Sequence, residues 1–149
     1  MIRRFQLFFL LSFIFTSCAS YQKTVAPAKQ LLQSENCLEA LPLLEKLSNN
    51  KNGDQLAYLM ENGIALQICG DYSKSNSVLS AADSLADEID YTSVSQAAGA
   101  TLLNEEMVSY KGDTFEKIFL NAIKALNYLQ LNQPDSALVE VRKMNQKYT

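Results

Sequence analysis

From residue 27 onward the hydrophobic positions of this chain recur every three or four residues, and they do not alternate as strand positions would. Between Cys37 and Leu47 the apolar residues Cys37, Leu38, Leu41, Leu44 and Leu47 form the stripe of an amphipathic helix. Turn-forming clusters interrupt the pattern at Asn49-Asn50-Lys51-Asn52-Gly53, Gly70-Asp71, Asp90-Tyr91, Lys111-Gly112 and Asn132-Gln133-Pro134. Helix starts follow these breaks. Asp54, Ser73 and Thr92 stand at N-cap positions, Asp113 with Glu116 spells a capping box, and Pro134 suits a first helical turn. The pattern predicts an all-α chain of seven helices, over residues 27–34, 36–48, 54–69, 73–89, 92–109, 114–131 and 134–147.

The segment ahead of these helices has a different pattern. Arg3-Arg4 precede the apolar run Phe5 to Phe15, which is followed by Thr16-Ser17 and Cys18. A short basic region, an apolar stretch and small residues before a cut define a secretory signal. The run is too short to span a bilayer as a helix, which takes about 20 residues. A cysteine directly after the small pair resembles the lipobox that bacterial signal peptidase II cleaves. Residues 1–17 are thus expected to be a signal peptide, Cys18 the acylated N-terminus and the polar stretch 18–26 a tether. Ala19, rather than Asp, implies the outer membrane of a Gram-negative bacterium, facing the periplasm.

Short linkers between helices suggest antiparallel pairs and prompt a search for repeats. With Leu56 as the first position of a tetratricopeptide unit of about 34 residues, Leu59, Gly63, Leu66, Gly70, Tyr72, Ser75, Leu79 and Ala82 fall on the small and bulky slots of that motif. Glycine inside a helix costs about 1 kcal/mol relative to alanine, so Gly63 calls for a packing reason, the close approach of two helices. Leucine there should overpack the crossing; alanine should be tolerated. A second unit matches more weakly through Ala125, Tyr128, Pro134, Ala137 and Val141, and a third shows only its second half in Ala40, Leu44 and Leu47. The helix over 92–109 fits no frame and reads as an insertion or a decayed repeat. The architecture expected for 27–149 is a helical-hairpin solenoid, with a plain helical bundle as the alternative.

The chain also resembles a family of bacterial tetratricopeptide-type lipoproteins over about half its length. The resemblance rests on Gly70-Asp71-Tyr72-Ser73-Lys74-Ser75-Asn76, Tyr110-x-Gly112-x-x-Phe115-Glu116, Lys124-Ala125-Leu126-Asn127-Tyr128-Leu129 and Ala137-x-Val139-Glu140-x-Arg142. It implies a fold and a location but no reaction. Family members run on past the last block, which implies that this chain is truncated at its C-terminus.

Composition narrows the chemistry. The chain has no histidine and no tryptophan. Ser-His-Asp, Cys-His and His-zinc chemistry are thereby excluded. Of 13 basic residues, Arg3 and Arg4 leave with the signal; the remaining 11 face 16 acidic ones, a net charge of −5. Nucleic acid, which needs clustered cations, is not an expected partner. No cofactor or metal site is expected, and the paired acids Glu105-Glu106 and Asp87-Glu88-Asp90 read as solvated surface.

Three groups of residues remain as candidates. Met60, Ile64 and Ile68 on one helix, with Phe119, Ala122, Leu126 and Leu129 on another, fall on positions that line the concave face of such arrays. They read as a groove for a peptide or helix, or as surface covered by neighbouring helices. Tyr110, Glu116, Lys124, Glu140 and Arg142 form a candidate polar cluster. In it Tyr110 and Glu116 read as a capped turn, and Lys124 lies level with Glu140 across the last hairpin as an ion pair. Cys37 and Cys69 fall at the same end of the repeat and read either as a disulfide or as packed free thiols.

The expectation is a non-catalytic, protein-binding scaffold, anchored to the membrane by lipid, with a cell-envelope protein or peptide as partner. The alternatives are the helical part of a longer envelope enzyme and a glycan or small-molecule binder.

Overall fold

The computed structural model describes residues 17–98 and 110–148. Every regular element among them is a helix: α1 (Ser17–Gln33), α2 (Cys37–Ser48), α3 (Gln55–Ile68), α4 (Tyr72–Ala98), α5 (Thr114–Gln130) and α6 (Pro134–Tyr148). The expected signal segment up to residue 16 lies outside the described residues, as do Glu105-Glu106 and most of the expected 92–109 helix.

Six helices stand among the described residues in place of seven. Asp90-Tyr91 does not end a helix, because α4 runs through it and Thr92 is no N-cap. At this point Lys117 of α5 reaches across to Asp90 at 2.5 Å, which ties the would-be turn into the helix packing. Ser73 is not a cap either; the Asp71 carboxylate accepts the Lys74 N–H at 3.2 Å. The expected tether is helical as well. Val25 is fully buried and Tyr21 stacks on Tyr58 with ring centroids 5.4 Å apart. Those contacts carry the helix through Pro27, whose missing N–H would otherwise favour a start there.

Each helix packs on the next in sequence, and α3 also meets α5. Two apolar cores result. Ala28, Leu44 and Ala65 join α1, α2 and α3, while Leu56, Leu79, Ala82, Ala86, Leu120 and Ile123 join α3, α4 and α5.

Three corners share one geometry. At the ends of α1, α3 and α5 a residue with positive φ, respectively Glu35, Gly70 and Asn132, follows the last turn. Its N–H bonds back to Leu32, Gln67 or Leu129, and the next N–H bonds to Leu31, Leu66 or Tyr128. This is the Schellman ending, and it turns each odd helix into the following even one. α1–α2, α3–α4 and α5–α6 are therefore equivalent hairpins.

The α3–α4 crossing is tighter than the repeat reading implied. A Cβ on Gly63 would stand 2.3 Å from Leu79 Cδ2 and 2.5 Å from its Cγ. Leu79 is fully buried, so alanine is not accommodated freely and the expected tolerance is corrected. Ser75 donates its hydroxyl to the Gly63 carbonyl at 2.7 Å, and Asn127 of α5 donates to Ser75 Oγ at 2.8 Å and to Asn76 Oδ1 at 3.0 Å. A buried polar chain thus links α3, α4 and α5.

Cys37, the first residue of α2, and Cys69, the C-cap of α3, are joined by a disulfide with Cα atoms 5.8 Å apart.

Candidate functional site

The odd helices lie side by side and leave between them a recess of about 610 Å³. Tyr21 and Gln22 of α1 form one wall. Asp54, Ala57, Met60, Glu61 and Ile64 of α3 form the floor, and Tyr110, Phe115, Glu116 and Phe119 at the start of α5 form the other wall.

Helical spacing explains the lining. Met60 and Ile64 lie one turn apart on α3, partly buried against the core around Leu56 and Leu79. Phe115 and Phe119 repeat that step on α5 and stack with centroids 6.2 Å apart. Phe115 is 74% exposed and Phe119 46%, so the aromatic wall stands open to solvent.

Carboxylates fix the two tyrosines. Tyr21 donates to Glu61 Oε1 at 3.1 Å, and Lys29 reaches the same oxygen at 2.6 Å. Tyr110 donates to Glu116 Oε2, which also accepts the Asp113 N–H at 2.8 Å as part of a capping box. The Tyr110 N–H donates to the Gly53 carbonyl at 2.8 Å, docking this loop onto the α2–α3 turn. Gly112 provides the positive φ that the loop needs. Burial, with the negative charge and hydrogen bond of Glu61, pushes the Tyr21 phenol above its ordinary pKa. Burial together with Glu116 does the same for Tyr110, so both phenols stay protonated and keep donating.

The predicted groove is gathered in part. Met60, Ile64 and Phe119 line the recess; Ile68, Leu126 and Leu129 lie outside its lining, exposed further along the same two helices. The predicted polar cluster is divided. Tyr110 and Glu116 belong to the recess, Arg142 is exposed on α6, and Lys124 and Glu140 sit in a separate buried network.

In that network Lys124, 2% exposed, lies 3.1 Å from Glu140 and 3.5 Å from Asp83. Lys143 holds Glu140 at 3.0 Å, Lys147 holds Asp83, and Asn121 donates to Glu140 at 2.8 Å and to Asp83 at 3.4 Å. Burial opposes ionisation of both acids, but the Lys147 and Lys124 charges bring the Asp83 carboxyl below its ordinary pKa. Asn121, Lys143 and Lys124 do so for Glu140. These ion pairs and hydrogen bonds tie α4, α5 and α6 together.

Sequence reasoning missed the α1 wall. The signal was present: Tyr21, Val25, Ala28 and Leu32 step at four, three and four, a helical stripe diluted by Gln22-Lys23-Thr24. Among the described residues no group of three or more His, Cys, Asp or Glu side chains could hold a metal ion. No described helix is long and apolar enough to cross a membrane. Cys18 lies in the first turn of α1. Comparison of the chain with protein-family models, with curated proteins and with solved structures finds no match.

Proposed function

We propose that this chain is a bacterial envelope lipoprotein of tetratricopeptide type, a non-catalytic scaffold that docks a partner protein in the recess between its odd helices. The observation that carries this reading is the recess itself. Three successive odd helices contribute to one concave face, its apolar floor and aromatic wall are partly exposed, and its tyrosines are held in place before anything binds. Preorganised aromatic surface of this kind loses little conformational entropy on binding. The repeated Schellman corners support the hairpin-array architecture, since each begins an equivalent unit. The Cys37–Cys69 bridge suits an oxidising compartment such as the periplasm.

The anchor is Cys18, the membrane is the outer membrane, and the domain faces the periplasm. Fatty-acid labelling of the wild-type chain, lost in Cys18→Ala, tests the anchor; labelling that survives refutes it. A photo-crosslinking residue placed at Phe119 tests the recess. The expected outcome is a discrete adduct from position 119 and none from Leu38, which is 88% exposed on α2 and outside the recess. Equal adducts from both positions, or none from 119, would refute the docking role.

A further inference from the structure

The recess differs from the other apolar surface of the protein in its charge. Asp54, Glu61 and Glu116 line it, and among the described residues no lysine or arginine does. The carboxylates are not used up by their own contacts. Both contacts made by Glu61 among the described residues fall on Oε1, and both made by Glu116 fall on Oε2. The other oxygen of each acid keeps its acceptor capacity. Asp54 stands at the N-cap of α3, yet its side chain makes no capping hydrogen bond. Lys29 neutralises one of these charges at 2.6 Å and leaves the recess negative.

Carboxylates beside open aromatic faces are the combination that holds an organic cation: the acids supply charge and acceptors, and the ring faces supply quadrupole attraction. Met60, Ile64 and Phe119 offer the apolar bed along which an alkyl stem can lie behind its charged head. An acidic partner would instead bring like charges together and desolvate them. Resting on the docking role proposed above, we infer that the occupant is a basic amphipathic helix of a partner protein. It inserts a lysine or arginine side chain between Glu61 and Glu116. Its apolar face continues onto Ile68 and Leu126, which stand exposed beyond the recess.

Three synthetic amphipathic peptides, about five helical turns long, test this against the full chain. They share one leucine and phenylalanine face and carry lysine, glutamine or glutamate on the other. Binding is measured by calorimetry at physiological salt, and the Met60 methyl resonance reports the site. The lysine peptide should shift that resonance and bind at least about tenfold more tightly than the glutamine peptide, with the glutamate peptide weakest. Glu61→Gln should reduce lysine-peptide affinity by about fivefold or more, whereas Glu45→Gln, an exposed acid on α2 with the same charge change, should leave it within about twofold. Equal binding of the lysine and glutamine peptides, or equal losses in the two variants, overturns the cation selectivity while leaving the docking role standing. A Met60 resonance unmoved by all three peptides overturns both.

Discussion

Gly63→Ala tests how closely α3 and α4 are packed. The added methyl carbon would stand 2.3 Å from Leu79 Cδ2 and 2.5 Å from Cγ, where ordinary contact is about 3.5 to 4.0 Å. Leu79 must therefore move by about 1 Å or more. Leu79 cannot swing into solvent, because it is fully buried among Leu56, Ala82, Ala86, Leu120 and Ile123. Forcing one methylene into such a core costs about 1–3 kcal/mol. Against this, alanine is better than glycine inside a helix by about 1 kcal/mol. The net expectation is a loss of up to roughly 2 kcal/mol, read as a lower urea midpoint with unchanged slope in far-UV circular dichroism.

The double variant separates packing from propensity. Leu79→Ala alone leaves a cavity and should cost about 2–5 kcal/mol. In that background Gly63→Ala has no leucine to displace and should restore about 1 kcal/mol, giving a coupling of roughly 1–3 kcal/mol. A Gly63→Ala protein more stable than wild type by the full propensity gain of about 1 kcal/mol, or additive effects in the cycle, would refute the close-contact argument.

Three other outcomes are expected. Reducing the Cys37–Cys69 bridge, which spans 32 residues, should destabilise the fold by about 3–4 kcal/mol on the chain-entropy estimate; an unchanged melting temperature with and without reductant would contradict it. Because Asp83 and Glu140 ionise more readily folded than unfolded, they add stability above the ordinary carboxylate range of about 4. That stability is lost as pH falls through their depressed values. Acid melts should therefore show a decline below about pH 4, weaker in Asp83→Asn/Glu140→Gln. Lys124→Ala leaves Glu140 and Asp83 short of a buried counter-charge and should cost about 3–5 kcal/mol, measured by urea denaturation; a change within about 0.5 kcal/mol would show that the network is solvated.

What the sequence disclosed was local, and what it concealed was long-range. The α2 stripe was legible because Leu41, Leu44 and Leu47 follow the helical period, and Ala40 and Leu44 are indeed buried. Leu38 shares the stripe by composition yet is 88% exposed, since periodicity gives a face but not its edge. Gly63, Leu66, Ser75, Leu79 and Ala82, expected to pack inside, are all buried, and Gly63 meets both Ser75 and Leu79. The recess was half visible. Met60, Ile64 and Phe119 came from helix positions, but Tyr21 enters only because α1 folds back to stack on Tyr58. Burial of Lys124 was equally hidden. The pairing with Glu140 across the last hairpin was legible, but the second counter-charge, Asp83, stands 41 residues earlier in another hairpin, and no local pattern marks it.

The disulfide also decides where the protein would yield under load. A pull between the N-terminal end of α1 and a later point of the chain is carried along α1 to Cys37, then through the covalent bridge to Cys69. The chain between these cysteines, all of α2 and α3 up to its C-cap, is bypassed by the tension. With the bridge intact, unravelling at that end can release α1 but cannot extend the loop it closes. The floor of the recess, from Asp54 to Ile64, lies inside that shielded loop, and Tyr21 does not. Tension applied at the N-terminal end of α1 would therefore strip away the Tyr21 wall while leaving the floor unextended, giving the recess a covalently protected part and a part that responds to force.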